Sequence, residues 1–498
     1  MGIVQRQGIR NSIITYTGIL IGAVSLILIQ PRFLTKEEIG LTRLLFSFSS
    51  LMASIVPLGM TATIFRFFPY FRDRDKKHHG FFGFIFIFPL IGFLFFGSIL
   101  YLLKGYVISK YSADSRLFTD YFYYIFPLTF FLSFVNVLTA YSYSIFRTSV
   151  PSFINEILVR VVSVILFSVY YLRWIDRDQF VMLYVMIYGT QFLIMILYLL
   201  YEDRPSIKIN WSQYKEHTPS KMFVFGLTLS LGVIASLGLR YMDTIMLGMY
   251  KPKQADLNAL DVVGIYSIAA FVATFVEAPM NALEKILTPK MADGWKRQDI
   301  EDIRQMYYKS AKYLLLLGGF LFLGINLNID SLFQLIPDKA YSMGKGVVFI
   351  ISLGTLVNMA TGNNDGLLYT SDKYKYAVTL IIVLLGVAYC NYLIFIPLFG
   401  MEGAAIATAL SATIYNFSKF LIIWRLFRLQ PFTYDTLKVI AVILVTGGLV
   451  YLIPSVHQPI VDIIIRSGAL GVLFAVLVYV LRIVPEFHHL IPFLKDRK

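Results

Sequence analysis

The chain has 498 residues, of which 57% are hydrophobic and 15% are charged, and its mean hydropathy is +0.68. A soluble domain carries about 25% charged residues, so this composition excludes an ordinary soluble globular protein. The net charge of +14 comes mostly from short breaks between apolar runs, and we do not interpret it as a sign of nucleic-acid binding.

Apolar runs long enough to cross a membrane follow one another along the whole chain. A bilayer core of about 30 Å takes about 20 apolar residues per helix, and the sequence contains fourteen such runs. They cover residues 11–30, 41–71, 81–103, 121–146, 152–172, 180–201, 222–250, 262–288, 311–335, 346–371, 377–397, 402–427, 437–453 and 460–483. Pro57 and Pro279 predict kinks in the second and eighth runs. The predicted fold is therefore an all-α integral membrane protein with fourteen transmembrane helices.

Lysine and arginine are distributed unequally between the two sides of this predicted bundle. If the N-terminus is inside, the inner segments hold 25 of them, the outer segments 11 and the spans eight. The positive-inside rule then places both termini in the cytoplasm. The first run ends in "LIQPRFL", which lacks a small-residue cleavage site, so we expect it to be a retained span.

The sequence carries no motif for bound nucleotide or metal. It lacks GxxxxGK[ST] and a long outer loop, its six histidines have no metal-ligand spacing, and the single Cys390 can form no internal disulfide. We therefore expect no cofactor, no metal and no enzymatic activity. Without such motifs or a folded outer domain, the function is expected to reside within the helix bundle itself. This points to transport.

The two halves of the chain show an approximate repeat. A proline follows Gly40 by 17 residues in the first half and Gly264 by 15 in the second, each within a long run. This match predicts two six-helix lobes in a parallel pseudo-repeat, plus two C-terminal helices. The expected divisions are an N-terminal lobe at 1–201, a cytoplasmic inter-lobe linker at 202–221, a C-terminal lobe at 222–427, and two extra helices with a cytoplasmic tail at 428–498.

Several segments resemble polysaccharide flippases of the multidrug/oligosaccharidyl-lipid/polysaccharide exporter superfamily. The resemblance rests on "YMDTIMLGMY", "VGIYSIAAFVATFVEAPMNALEKILTPKMAD" and "FGMEGAAIATALSATIYNF". The N-terminal "RQGIRNSIITYTGILIGAVSLILIQPRFLTKEEIGLTRLL" is similar to the lipopolysaccharide-biosynthesis (O-antigen-type) branch. The resemblance implies two six-helix lobes around a V-shaped cavity. It also implies that a lipid-pyrophosphate-linked oligosaccharide moves from the inner to the outer leaflet of the bacterial cytoplasmic membrane by alternating access.

A pyrophosphate head can cross hydrocarbon only through a wet, cationic passage. Ionisable residues inside spans usually face a cavity or a partner. The candidate substrate-binding cations are Arg66, Arg160, Arg240, Lys285 and Lys419. Each has a structural alternative. Arg160 can be neutralised by Glu156 one helical turn away, and Arg66, Lys285 and Lys419 can reach the inner headgroups.

Polar residues inside the spans supply the other site candidates. Arg240 and Asp243 are three residues apart and either form a local structural pair or exchange partners with an anionic head or a coupling cation. We expect coupling to a proton or sodium gradient, with Asp243 and Glu277 as the ion-coupling candidates. Amides that line the cavity, or alternatively join helices, are Asn281, Asn358, Asn363 and Asn364.

Two local patterns carry structural expectations. Gly18 and Gly22 form a GxxxG pattern, which predicts close packing between helices of this chain rather than dimerisation. An amphipathic helix on the inner membrane surface is predicted from apolar residues that recur at helical spacing among charges, namely Ile300, Ile303, Met306 and Tyr307.

The favoured function is a flippase for a lipid-linked oligosaccharide, whose partners are that glycan and the membrane lipids, acting as a monomer. A lipid II flippase and a multidrug or cation antiporter of the same superfamily are the alternatives. A membrane glycan polymerase or ligase fits least, because such enzymes commonly need a sizeable outer loop.

The charge asymmetry predicts which loops can be reached from outside the cell. In a Cys390→Ser background, Asp176→Cys in a predicted outer loop should react with a membrane-impermeant maleimide in intact cells. Lys296→Cys in a predicted inner loop should react only after the membrane has been opened. The opposite labelling pattern would contradict the proposed orientation.

Overall fold

The computed structural model describes residues 3–111, 115–214, 218–252 and 256–484. Regular structure within these ranges is entirely helical. Thirteen helices there are long and apolar enough to cross a membrane, or up to fourteen when one bent pair is counted as a single span. These helices confirm the predicted all-α fold and make the chain a multi-pass membrane protein.

The chain forms two compact units, Met1–Ser267 and Ile268–Lys498. The α-helices of the first unit are α1 (Ile3–Val24), α2 (Gln30–Phe33), α3 (Lys36–Ile55), α4 (Met60–Phe71), α5 (Phe81–Leu102), α6 (Lys104–Tyr111), α7 (Arg116–Asp120), α8 (Ile125–Ser144), α9 (Ser149–Phe153), α10 (Val159–Tyr171), α11 (Arg177–Glu202) and α12 (Pro219–Leu247). Helix α13 (Ala259–Thr274) contains the boundary. The units group helices by packing, whereas the predicted lobes rest on sequence repetition, so the lobe division stays a prediction.

The second unit contains the remaining helices. Its helices are α14 (Ala278–Arg297), α15 (Ile300–Asn326), α16 (Ile329–Gln334), α17 (Lys345–Ala360), α18 (Asn364–Thr370), α19 (Tyr374–Phe399), α20 (Met401–Phe427), α21 (Tyr434–Tyr451) and α22 (Pro459–Val480). Its largest apolar core joins α15 to α17, α21 and α22 through side chains such as Leu314, Met359, Val442 and Leu470.

The second predicted span is broken at its proline. Helices α3 and α4 meet at an angle of 42°, and the four residues between them include Pro57. Gly59 has a φ of +76° there, and a Cβ atom on it would lie 1.9 Å from the carbonyl oxygen of Gly226. The break therefore brings the backbone of α12 against the backbone of the bend, and the kink predicted at Pro57 is confirmed.

A second irregularity precedes Pro279. Helix α13 ends at Thr274, a 3-10 segment covers Phe275–Glu277, and α14 starts at Ala278. Pro279 thus lies in the first turn of α14, where the missing N–H group has no helical partner to lose.

The tenth predicted span, 346–371, is wrong as a continuous helix. Helix α17 ends at Ala360 and α18 begins at Asn364. Gly362 adopts a φ of +69°, where a Cβ atom would lie 2.8 Å from Ser310 Oγ. The Asn363 side chain caps α18 by accepting a hydrogen bond from the N–H of Gly366 at 2.9 Å. A glycine followed by an N-cap asparagine stops one helix and starts the next.

The amphipathic surface helix predicted at 300–307 is also wrong. These residues are the first two turns of α15, which continues to Asn326 and follows α14 after only Gln298 and Asp299. Ile303 and Tyr307 are fully buried, and they pack in a cluster with Met291 of α14. The apolar stripe therefore covers a contact between helices rather than a membrane surface.

Close packing of α1 within the first unit confirms the interpretation of its GxxxG pattern. A Cβ atom on Gly18 would lie 2.4 Å from Arg160 Nη1 and 2.7 Å from the carbonyl oxygen of Glu156. At Gly22 it would lie 3.1 Å from Arg160 Nε. Both helices change to π-helical geometry near this contact, at Ser25–Ile29 and Ile154–Leu158, which shifts the register of each facing surface.

We expect Gly18→Ala to lower the thermal midpoint of the protein in detergent micelles. The added methyl group must displace Arg160, and overpacking of this kind costs about 1–3 kcal/mol. Gly471→Ala is the matched control, because nothing lies within 4 Å of a Cβ atom there, and alanine favours a helix. Equal unfolding temperatures for the two variants would contradict this packing.

Candidate functional site

Arg66 lies near the cytoplasmic end predicted for the second span, on the exposed surface of α4. Its guanidinium carbon is 4.2 Å from the ring centre of Phe225 on α12, and 5.6 Å from that of Phe67. It makes no ion pair with any residue that the structure describes. The two aromatic rings support the charge by cation–π contact and leave its hydrogen-bond donors available.

Arg160 is already paired in this structure. Its Nη1 donates to the Glu156 carboxylate and to the Glu156 carbonyl oxygen, both at 2.8 Å. This is the local neutralisation that the sequence offered as the alternative to substrate binding. The pair lies against Gly18 and Gly22, so the two glycines make room for the guanidinium. In this conformation, Arg160 joins α1 to α10.

The pair expected between Arg240 and Asp243 is not formed. Asp243 is buried and accepts hydrogen bonds from the N–H of Thr244 at 2.6 Å and from the Tyr266 hydroxyl at 2.7 Å. Arg240 is exposed and makes no ion pair with a described residue, although its charge still acts on Asp243. The sequence could not show that Tyr266, on another helix, would compete for the carboxylate.

Arg43 is a half-buried arginine of α3 that was not among the candidate site residues predicted from the sequence. Its Nη2 donates to Gln30 at 3.2 Å, and its Nε is buried without a hydrogen-bond partner. Tyr184 and Tyr188 of α11 lie within electrostatic range. A cation beside tyrosine hydroxyls and a free buried donor is suited to bind an anion.

Of the two predicted cations in the second unit, Lys285 and Lys419, Lys419 is the more deeply buried. Only 1% of its side chain is exposed, and its Nζ donates to Asp365 Oδ2 at 2.7 Å. The Nζ atom also lies 4.0 Å from the ring centre of Tyr415. Asp365 follows the break between α17 and α18, so the interruption of the tenth span places a carboxylate against a lysine of α20. Lys419 thus has an internal partner rather than a route to the headgroups.

The predicted amides divide between structural and open positions. Asn363 caps α18, and the Asn364 amide donates to Thr361 Oγ1 at 3.0 Å. Asn358 has only a weak contact, 3.6 Å from the sulfur of Met280. The side-chain oxygens of Asn358 and Asn364 and the Oδ1 of Asp365 are buried without hydrogen-bond partners. Three unsatisfied acceptors around one helix break need water or a cation.

Helix α14 and the turn before it present the remaining predicted residues. Asn281 and Lys285 are exposed, and Lys285 makes no ion pair with a described residue. Glu284 is half-buried and interacts electrostatically with Asp365, Lys419 and Glu277. Glu277, Asn281 and Glu284 recur at helical spacing, and the two glutamates extend the electrostatic set of the Lys419–Asp365 pair. Glu277 itself lies in the 3-10 turn before α14.

The described part of the chain contains no cluster of three histidine, cysteine, aspartate or glutamate side chains that could hold a metal ion. The polar groups instead form two sets, one in each unit: Arg43 with its tyrosines in the first, and Lys419 with Asp365 and Glu284 in the second. Together with the helix count, they define a multi-pass membrane protein that keeps charged side chains within its spans.

The fold is that of transporters of the MOP superfamily. A structure of the lipid II flippase MurJ in an inward closed conformation has a TM-score of 0.72, 12% identity, and covers 95% of this chain and 98% of its own. An inward-facing multidrug resistance MATE family transporter has a TM-score of 0.62, 14% identity, and covers 81% and 92%. The Vibrio cholerae MATE transporter VcmN has a TM-score of 0.55, 11% identity, and covers 86% and 98%. No protein-family model and no curated protein sequence matches the chain.

We expect Lys419→Ala to destabilise the protein more than loss of the whole pair does. Removing one member leaves the other charge uncompensated, which costs about 3–5 kcal/mol in a buried site. The double variant Lys419→Met with Asp365→Asn removes both charges and should recover most of the thermal midpoint. Melting in detergent micelles measures both variants. A double variant less stable than Lys419→Ala would contradict the pairing.

Proposed function

We propose that this chain is a flippase. It moves a lipid-pyrophosphate-linked oligosaccharide from the inner to the outer leaflet of the bacterial cytoplasmic membrane by alternating access. It acts as a monomer with both termini in the cytoplasm, and it has no enzymatic activity. The fold shared with MOP-superfamily transporters is consistent with this role, and the charges within the spans point to the cargo.

The proposal rests on the cations within the spans that lack a carboxylate partner among the described residues. Among the predicted substrate-binding residues, these are Arg66, Arg240 and Lys285. An arginine or lysine at the centre of a membrane helix costs about 2.5–3.5 kcal/mol on insertion scales. Arg66 and Lys285 lie near the ends of their predicted spans, so this cost falls mainly on Arg240, and a wet surface with a bound anion would offset it. A pyrophosphate supplies that anion, and the arginine fork binds two of its oxygens.

The paired cations have a different role in this proposal. Lys419 is neutralised by Asp365 and is inaccessible in this conformation. Binding of the pyrophosphate to Lys419 requires that Asp365 be released, so cargo and carboxylate compete for one ammonium group. Such competition gives the differential affinity for two states on which alternating access depends. The free oxygens of Asn358 and Asn364 are then available to sugar hydroxyls.

The energy source in this proposal is a proton or sodium gradient. Asp243 is buried, has hydroxyl and backbone donors as partners, and lacks a cation within ion-pair distance among the described residues. Glu277 lies beside Glu284, which faces the Lys419–Asp365 pair. A carboxylate in such a position binds a proton or sodium ion when its neighbours change.

Lipid II is the second candidate cargo. The structural likeness that favours it is the one to the lipid II flippase MurJ, which extends over 95% of this chain. Both candidates use a phosphorylated lipid as the carrier of the glycan, so the cationic side chains suit either. Deleting the gene and identifying by mass spectrometry the lipid-linked glycan that accumulates in the inner leaflet separates the two.

We expect Arg240→Gln to reduce export at least about tenfold in the deletion strain, because it removes a charge-assisted hydrogen bond to the phosphate. Arg240→Lys should keep part of the activity. The readout is the fraction of lipid-linked glycan that becomes accessible to an added glycosidase at the outer leaflet. Protein amounts are equalised by immunoblot.

Arg428→Gln is the matched control, since this exposed arginine follows the last turn of α20. Its variant should export normally. Normal export by Arg66→Gln, Arg240→Gln and Lys285→Gln together would overturn the proposed function.

A further inference from the structure

A basic cavity lies at one end of the first unit, between the loop that joins α4 to α5 and the segment that follows α11. It has a volume of about 430 Å³. Its lining residues are Asp75, Lys76, Lys77, His79, Gly80, Ser206, Lys208 and Asn210. The positive-inside assignment puts this end in the cytoplasm. The cavity is separate from the charged groups within the spans, and the proposed transport does not use it.

The loop that forms one wall has an unusual backbone. Lys77, His78, His79 and Gly80 have φ values of +48°, +52°, +53° and +76°. Three of these four residues carry side chains, so the run is energetically costly. A loop with this backbone must be held in place by strong contacts. Those contacts also fix the positions of the loop's own side chains, including the lysines that line the cavity.

His78 is the principal anchor of the loop. It is buried, its Nδ1 accepts a hydrogen bond from the N–H of Asp73 at 3.1 Å, and its Nε2 lies 3.0 Å from Asp203 Oδ1. Because Nδ1 accepts, Nε2 carries the proton that is donated to Asp203. The other oxygen of Asp203 accepts from the Tyr141 hydroxyl at 2.6 Å. Burial acts to raise the pKa of Asp203, but the hydrogen bonds outweigh it and lower that pKa, so the carboxylate stays ionised at neutral pH.

The second wall is held against the first by direct backbone contact. The N–H of Asn210 donates to the carbonyl oxygen of His79 at 3.0 Å. Cβ atoms on Gly80 and Gly83 would lie 2.0 Å and 1.9 Å from the carbonyl oxygens of Lys208 and Ile207. Only glycine permits this approach. The contact fixes Lys208 beside the lysines of the loop.

The charges around the cavity are unbalanced. Three lysines face one lining carboxylate, Asp75. Lys77 and Lys208 have no side-chain ion pair among the described residues, and Lys76 approaches Asp73 only at 3.7 Å. The N-terminus of α5, which starts at Phe81 without a side-chain cap, adds the positive end of a helix dipole.

We propose that this cavity binds the phosphate group of an acidic membrane lipid at the cytoplasmic surface. Two unpaired ammonium groups suit one phosphate, and a volume of about 430 Å³ holds a headgroup. A lipid is the favoured source, because the apolar helix α5 begins at the residue after Gly80 and places the cavity at the membrane surface. Bound lipid would join the α4–α5 loop to the segment that leads into α12.

The test uses the full chain purified in detergent micelles, with phosphatidylglycerol and phosphatidylcholine as lipid probes and inorganic phosphate as the soluble probe. Native mass spectrometry measures the retained lipid. We expect the wild type to retain one phosphatidylglycerol in preference to phosphatidylcholine. Lys77→Gln with Lys208→Gln should weaken that retention about 10- to 30-fold, since each basic residue contributes about one factor of five at a membrane surface.

The matched control is Lys296→Gln with Lys309→Gln, which removes two exposed lysines of the second unit and should leave retention unchanged. Lys77→Arg with Lys208→Arg should bind like the wild type, which shows that loss in the glutamine variant comes from charge and not from unfolding. Displacement of the bound lipid by millimolar inorganic phosphate supports recognition through the phosphate group, whereas phosphate binding with no preference for phosphatidylglycerol assigns the site to a soluble source and overturns the lipid proposal. Equal retention by the wild type and the Lys77→Gln, Lys208→Gln variant overturns the proposal, whatever the outcome of the export assays.

Discussion

A charge placed inside a membrane helix must find a partner within the protein or a wet surface, and this requirement organises the whole molecule. Lys419 meets it with Asp365 and the ring of Tyr415, and Arg160 meets it with Glu156. The Lys419–Asp365 pair has a cost, because desolvation offsets most of the Coulombic attraction of a buried pair, whereas the side chains of Arg160 and Glu156 are 32% and 33% exposed. Replacing a buried pair such as Lys419 and Asp365 by well-packed apolar residues is often neutral or stabilising. Stability alone therefore does not explain the Lys419–Asp365 pair.

The same requirement explains where the helices break. Backbone groups inside a bilayer must be hydrogen-bonded, so a helix can be interrupted only where protein or water satisfies them. At the break before α18, Asn363 supplies a cap, Ser310 Oγ accepts from the N–H of Asn363 at 3.1 Å, and the acceptors of Asp365 are directed inward. At the break after α3, the backbone of Gly226 contacts Gly59. Each break is stabilised by its own set of contacts, and the break before α18 also carries the charged pair of Lys419 and Asp365.

The sequence was sufficient to predict the spans and much less so the site. Hydropathy alone identifies a helix of 20 apolar residues, and Pro57 signals its own kink, because both properties are local. The break at Gly362 was missed because the asparagines that follow the glycine were interpreted as cavity lining rather than as the start of a new helix. The lysine of α20 and its partner Asp365 are 54 residues apart, and no spacing rule connects them. Asp243 was assigned to Arg240 by proximity in the chain, whereas Tyr266 is nearer in space.

The cations of the chain therefore fall into two kinds, and the distinction has a physical consequence. An unpaired guanidinium such as that of Arg240 attracts an anion in any state that exposes it, and by itself it gives no preference between states. A paired ammonium such as that of Lys419 attracts an anion only when its carboxylate has moved away. Under the proposed function, a cation of the first kind would capture an anionic cargo, and one of the second kind would bias the conformation. Because that bias equals the difference in affinity between two states, the proposed function gives the carboxylates beside the lysine as large a role as the lysine itself.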